Sequence, residues 1–292
     1  MMAVRRTFCY RDRCSLFDGV MMRRLQIGDR ETVYIDVGDG APLVCIHGSF
    51  SDCRVWGPVV DLLSADRRII APSLRYFYPE RWSGNSTDYT IERHVEDVGA
   101  FISALRLPPV DLLGHSRGGH IAFRVCQKYP GLVRRAILAE PGGSFEEVLQ
   151  QPSMARSPLL DLTTRVSELV RSGEVDDGLC LFLNAIDGDG TWESLSDDLR
   201  QQMRDNASTL LAQPGEGRKP FTVADAESMI IPTLIVIGED TPGFLPSVSR
   251  QLAIHLPHCN VVNIPDASHH MFRHAPALFS AAVSSFLDDG TK

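Results

Sequence analysis

The order of apolar segments predicts an α/β fold: a doubly wound, mostly parallel sheet with an inserted helical cap. Three observations carry this. Short apolar runs recur along the chain at regular distances, helical patterns lie between several of them, and one long interval holds helical patterns alone. The runs at 42–48 and 110–140 are unbroken rather than alternating, the mark of strands covered on both faces.

Residues 1–21 are mixed polar, arginine-rich and poorly periodic, so they read as a flexible tail whose removal should leave stability and activity intact. From Arg23, "RRLQIGDRETVYIDVGDG" reads as two strands about a Gly28-Asp29 turn. The strands expected next are "PLVCIHG" (42–48), "RRIIAPS" (67–73), "VDLLGHS" (110–116), "RRAILAEPG" (134–142), "PTLIVIGED" (232–240) and "NVVNIPDASH" (260–269). "YTIERHVEDVGAFISAL" puts Ile91, Val95, Val98, Phe101, Ile102 and Leu105 on one side of a helix. "RGGHIAFRVCQKYP" does the same with Ile121, Val125 and Tyr129, and "APALFSAAVSSFL" closes the chain. Between Glu140 and Pro232 only helix-like stretches occur, around 157–172, 176–186 and 194–212. An interval of about 90 residues is too long for a simple connection in a compact domain. Residues 142–229 are therefore expected to form the cap, and 22–141 with 230–292 the core.

Composition narrows the function classes. A chain of 292 residues with 43% apolar content can bury a large core. The net charge of −8, with no Lys/Arg-rich block, argues against nucleic acid or anionic membrane as partners. No apolar run reaches the roughly 18–20 residues of a membrane span, and the N-terminus lacks a secretory apolar stretch. Seven cysteines are scattered without paired spacing; Cys45 and Cys126 read as core residues, and Cys9 and Cys14 have no second pair for a zinc site. The expectation is a cytoplasmic protein without metal or organic cofactor.

The stretch "DLLGHSRGGH" (111–120) ends a buried strand with Gly-His-Ser-Arg-Gly and runs straight into a helix. Gly-X-Ser-X-Gly there can be a glycine-rich turn with a capping serine. It can also be a device that lifts a nucleophilic hydroxyl above the sheet, backed by a helix N-terminus that favours negative charge. An earlier strand ends in His47-Gly48, and "NIPDASHHMFRHAPALF" places His269 in a turn between the last strand and the last helix.

These pieces, in the order glycine loop, serine, histidine, resemble the α/β-hydrolase superfamily over residues 23–289. The resemblance implies Ser116 as nucleophile and His269 as base, with the backbone N–H groups of Ser49 and Arg117 binding the oxyanion. A serine at 116 departs from the haloalkane dehalogenase branch, which carries aspartate there. The acid is open. The superfamily usually places it three residues past the glycine of the strand at 232–238, but that residue here is Thr241, with Asp240 one position early. Some lactone hydrolases and luciferase-type relatives carry the acid one strand sooner, which selects Glu140. A carboxylate at the mouth of a buried strand needs a partner, and an imidazolium is a suitable one. The reading favours Glu140, with Asp240 as the alternative.

Candidate substrate contacts are Phe50 just past His47-Gly48, then Arg75 and Tyr76 in the unusual loop "SLRYFYPERW", His115 beside the elbow, and Trp192 in the cap. Each also has a plain packing role available. The implied activity is hydrolysis of a small neutral ester or lactone through an acyl-enzyme. A C–C bond hydrolase, a cofactor-free perhydrolase or a slow-turnover ligand receptor use the same triad. A small-molecule substrate is the expected partner, and a homodimer is the one protein assembly left open.

Overall fold

The computed structural model describes residues 22–82, 84, 87–146 and 157–289. The expected N-terminal tail, with Cys9 and Cys14, lies outside the described residues.

Eight strands form one sheet: β1 (Arg23–Ile27), β2 (Arg30–Val37), β3 (Ala41–Ile46), β4 (Arg67–Pro72), β5 (Val110–His115), β6 (Val133–Ala139), β7 (Thr233–Gly238) and β8 (Cys259–Ile264). Their spatial order is β1-β2-β4-β3-β5-β6-β7-β8. β2 pairs antiparallel with both β1 and β4, and every later pairing is parallel. The strands that read as unbroken apolar runs are the central ones. Every residue of β5 and β7 is buried, whereas β1 at the sheet edge is mostly exposed.

Helices cover both faces. α1 (Gly57–Leu63) packs on one of them, and α2 (Ile91–Ala104) and α3 (Arg117–Lys128) on the other. Thr90 starts α2 by accepting the Arg93 N–H, and the apolar positions expected from its spacing are buried, with Leu105 partly so. Between β6 and β7 come the cap helices α4 (Pro158–Ser172), α5 (Val175–Asp187), α6 (Thr191–Ser194) and α7 (Asp197–Asn206), followed by α8 (Val223–Glu227). Helices α4 to α7 share a separate apolar cluster built on Leu179, Leu183, Trp192, Met203 and Leu210, and Phe50 of the core reaches into it, whereas α8 packs on the α2 and α3 face through Val223 and Ala226. α9 (Leu245–His255) joins the α2 and α3 face through Val248 and Leu252. α10 (Met271–His274) and α11 (Pro276–Asp288) pack with α1.

Register places the site. Ile46 lies opposite Gly114, His115 opposite Ala139, Ala139 opposite Val236, and Gly238 opposite Ile264. The C-terminal ends of β3, β5, β6, β7 and β8 are thus level. Whatever follows each of them emerges at one edge of the sheet, where ligands of open α/β sheets bind.

Candidate active site

Ser116 stands between β5 and α3 with φ 52° and ψ −120°, a left-handed conformation that costs a non-glycine residue of order 1–3 kcal/mol. The surroundings hold it there. Its N–H donates to the Ala139 carbonyl at 3.0 Å, and its carbonyl accepts from Gly142 N–H at 2.8 Å and His120 N–H at 3.1 Å. The two flanking glycines are sterically required. A Cβ on Gly114 would sit 2.3 Å from the Gly118 carbonyl oxygen, and one on Gly118 would sit 2.1 Å from that of Ile46. Gly118→Ala should therefore lose about 3 kcal/mol of stability, since the clash is with backbone. Urea unfolding of the variant measures this, and a midpoint unchanged from wild type would show that β3 yields.

The His47-Gly48 loop after β3 abuts the elbow: a Cβ on Gly48 would lie 3.1 Å from His115 Nδ1 and 3.3 Å from Ser116 Cβ. His47 is fully buried, with its Nδ1–H on the Gly48 carbonyl at 2.9 Å and its Nε2 accepting Leu74 N–H at 3.0 Å. Arg117 is the first residue of α3, so its N–H is one of the helix's unpaired leading donors.

His269 follows β8 and is fully buried. Its Nδ1–H donates to Glu140 Oε2 at 2.6 Å, and Glu140 Oε1 accepts Gly238 N–H at 2.9 Å. Glu140 is itself wholly buried, at φ 41° directly after β6. The other nitrogen, His269 Nε2, is buried with no protein partner among the described residues. Asp240 is exposed and lies in the turn closed by Thr241 N–H on the Gly238 carbonyl, with its own N–H on the Ala267 carbonyl. Of the two candidate acids, Glu140 touches the histidine.

The remaining candidates are dispersed. His115 lies beneath His269, ring centroids 4.5 Å apart, and its Nε2–H donates to the His269 carbonyl at 2.9 Å. Phe50 meets Phe182 of the cap edge-on at 4.8 Å. Trp192 packs inside the cap cluster. Arg75 is held on Asp97 by bonds of 2.6 and 2.8 Å, and the Tyr76 ring stacks on Tyr89. Neither of these two is drawn into the His269–Glu140 pair.

Several side-chain partners at this edge, Gln213, Asp187 and Glu216 among them, went unnoticed in the sequence. Ser49 Oγ donates to Gln213 Oε1 at 3.2 Å. Asp187, the last residue of α5, accepts from Ser268 Oγ at 2.6 Å, from His270 N–H at 3.0 Å and from His270 Nδ1. The Arg117 side chain, fully buried, is ion-paired with Glu216 and donates to His94 Nδ1 at 2.9 Å. An arginine at the positive end of a buried helix demands an acid, a signal the sequence did carry; which acid it did not say.

Burial keeps several histidines neutral. It pulls the His47 pKa down to about 4 and holds His94, His115 and His120 well below the ordinary imidazole value, with nearby cations adding to the effect at His94 and His120. The unfolded chain takes up protons below about pH 6.5 while these folded imidazoles do not, so stability is lost as pH falls through that window toward 4. From His47 alone the loss reaches about 3 kcal/mol. Melting temperature measured from pH 7 to 4.5 should fall steeply below 6.5; a flat profile would mean these rings protonate in place.

Known proteins with this architecture fit the geometry. The family described as alpha/beta hydrolase fold matches residues 41–275. The chain is 24% identical over 284 residues to an (E)-2-((N-methylformamido)methylene)succinate hydrolase of Acinetobacter baylyi, covering 92% of this chain and 99% of that one. It is 36% identical over 129 residues to a 2-hydroxy-6-oxo-2,4-heptadienoate hydrolase of Pseudomonas putida, 42% of this chain and 46% of that one. Among solved structures, a carboxylesterase from Bacillus subtilis superposes with a TM-score of 0.73 at 19% identity, covering 93% of this chain and 92% of its own. With a match running from β3 through α10, across the serine turn, the buried acid and the histidine loop, the chain belongs to the alpha/beta hydrolase fold family.

Proposed function

We propose that the protein is a serine hydrolase that cleaves a small ester or lactone through an acyl-enzyme. The supporting observation is the buried His269, with Nδ1 held by Glu140 and Nε2 unpartnered, packed on the residue that precedes Ser116. Ser116 Oγ attacks the carbonyl carbon as His269 Nε2 takes its proton. The tetrahedral oxyanion is bound by the N–H groups of Ser49 and Arg117, and Glu140 stabilises the imidazolium. His269 returns the proton to the leaving oxygen. Water, deprotonated by the same nitrogen, then releases the acid.

No helix among the described residues is long and apolar enough to cross a membrane. Cys45, Cys53 and Cys126 are buried free thiols, with Cys53 and Cys126 pushed up to about 12 by desolvation, in keeping with packing rather than redox roles. We place the enzyme in a reducing cytoplasm on that ground.

A second reading, hydrolysis of a C–C bond in a diketone by the same residues, has in its favour the 36% identity to the P. putida dienoate hydrolase. A turnover screen of short and aromatic esters, lactones and diketones with wild type and Ser116→Ala separates the two. Ester or lactone turnover that disappears in the variant supports the first reading. Diketone turnover alone moves the assignment to the second, and ligand binding without turnover moves it to a receptor.

A further inference from the structure

One cluster beside Ser116 plays no part in the mechanism above. Glu216 lies on the stretch between α7 and α8, and its carboxylate serves two arginines. Oε2 pairs with Arg117, while Oε1 accepts from Arg218 Nε at 2.7 Å and Nη2 at 2.5 Å. The Arg117 side chain is fully buried and that of Arg218 is 11% exposed. Three further groups adjoin the arginines, none of them a carboxylate: His94, held by Arg117; Tyr89, whose ring lies 4.9 Å from the Arg117 guanidinium; and His120, whose Nδ1 is bonded to the Gly142 carbonyl. Two cations against one anion leave the cluster with a net positive charge at the edge of the cavity that Arg218 lines. Arg218 reaches water through the cavity it lines, so the excess charge is directed there. Burial pulls both guanidiniums down to about 10, which still leaves them charged at neutral pH.

The unmatched charge has a direction. Nε and Nη2 of Arg218 are both taken by Glu216, and no described residue accepts from Nη1. That atom lies over Gly142: a Cβ there would be 2.9 Å from Arg218 Nη1, 3.2 Å from Arg117 N and 3.2 Å from the Ser116 carbonyl carbon. Arg218 also lines a cavity of about 200 Å³ together with Gly143, Ser144, Thr163, Gln213 and Glu216. Gln213 holds the Ser49 side chain, which ties this cavity to the loop proposed to bind the oxyanion. The only carboxylate among these lining residues is that of Glu216, already matched on both oxygens.

We infer that the substrate is a half-ester of a dicarboxylic acid, whose free carboxylate is bound by Arg218 Nη1 in this cavity while the ester carbonyl faces Ser116. This rests on the ester-hydrolase reading and replaces the neutral substrate that the sequence led us to expect. The acyl chain stays on Ser116 through both half-reactions, so a cation fixed beside the serine's own peptide holds it throughout.

The test compares monoethyl succinate with its neutral isostere ethyl succinamate, and the glutarate pair likewise, following acid release by NMR. Wild type should prefer the carboxylate by about 10- to 100-fold in kcat/KM, the worth of a hydrogen bond to a charged group. In Arg218→Gln the ratio should collapse to about one, and Arg218→Lys, which keeps the charge, should hold part of it. Calorimetry on Ser116→Ala, with and without Arg218→Gln, reads monoethyl succinate binding independently of turnover. Binding that needs Arg218, with no ester hydrolysed by wild type, would leave the carboxylate site standing and remove the ester reading. Equal kcat/KM for acid and amide in wild type, or binding indifferent to Arg218, would overturn the inference. Should Arg218→Gln not fold, the wild-type ratio and the lysine variant decide.

Discussion

Ser116→Ala is expected to abolish covalent labelling by a fluorophosphonate and to lower turnover by about 10⁴-fold or more. The size of the effect comes from what the hydroxyl alone supplies. Without it there is no acyl-enzyme, and the groups proposed to bind the oxyanion can only assist direct attack by water. The fold should survive, because among the described residues the side chain makes no capping hydrogen bond and the strained backbone is held by its own N–H and carbonyl. Circular dichroism would show the same melting transition within a few degrees. Hydrolysis undiminished in the variant would end the serine-hydrolase reading.

Glu140→Gln should lower kcat by at least about 10³-fold, whereas Asp240→Asn should lower it tenfold or less. Glu140 Oε2 accepts the Nδ1–H of His269 and Oε1 is held by Gly238 N–H, so the carboxylate fixes both the tautomer and the plane of the ring. With glutamine in its place the amide can turn its NH₂ toward Nδ1. That would favour the tautomer that carries its proton on Nε2, where a base must be bare. The imidazolium of the transition state would also lose its counter-charge within a fully buried pocket. Asp240 is exposed, and its pull on the His274 imidazole is the least of several there, outweighed by the burial that holds that ring below its ordinary value. Kinetics of the two variants on one ester decide the ranking. The reverse order would return the acid to the position past β7.

The sheet was legible because its central strands are buried on both faces, and such strands have no choice but to be apolar throughout. The runs at 42–48 and 110–140 carry that mark, and the structure puts the strands they form, β3, β5 and β6, in the middle of the sheet. α9 escaped notice because Leu245, Val248 and Leu252 form only a narrow stripe, interrupted by Ser247, Ser249, Arg250 and Gln251. Ser116 and His269 could be picked out because each sits at a break between a strand and a helix, with glycine or serine beside it. The partner of His269 was ambiguous for a physical reason. Two strands end level at the same edge, and a carboxylate after either can point across; only the backbone turn at Glu140, with its positive φ, decides which does. Arg218, Glu216, Gln213 and Asp187 were out of reach. Their roles depend on how an inserted segment folds back, and no spacing within that segment encodes it.

The ion pair between Arg117 and Glu216 bears on how this enzyme can be altered. From its sequence, exchanging residues 145–225 for a short linker should leave a competent core. That segment, however, supplies the carboxylate that pairs with the Arg117 guanidinium sealed inside the core, along with the aspartate that clasps His270. Taking away one partner of such a buried pair costs about 3–5 kcal/mol, a large share of what holds a domain together. The insertion and the sheet are thus co-dependent in folding. A graft from a relative will succeed only when the residue after the nucleophile travels with its acid, so positions 117 and 216 must change in step.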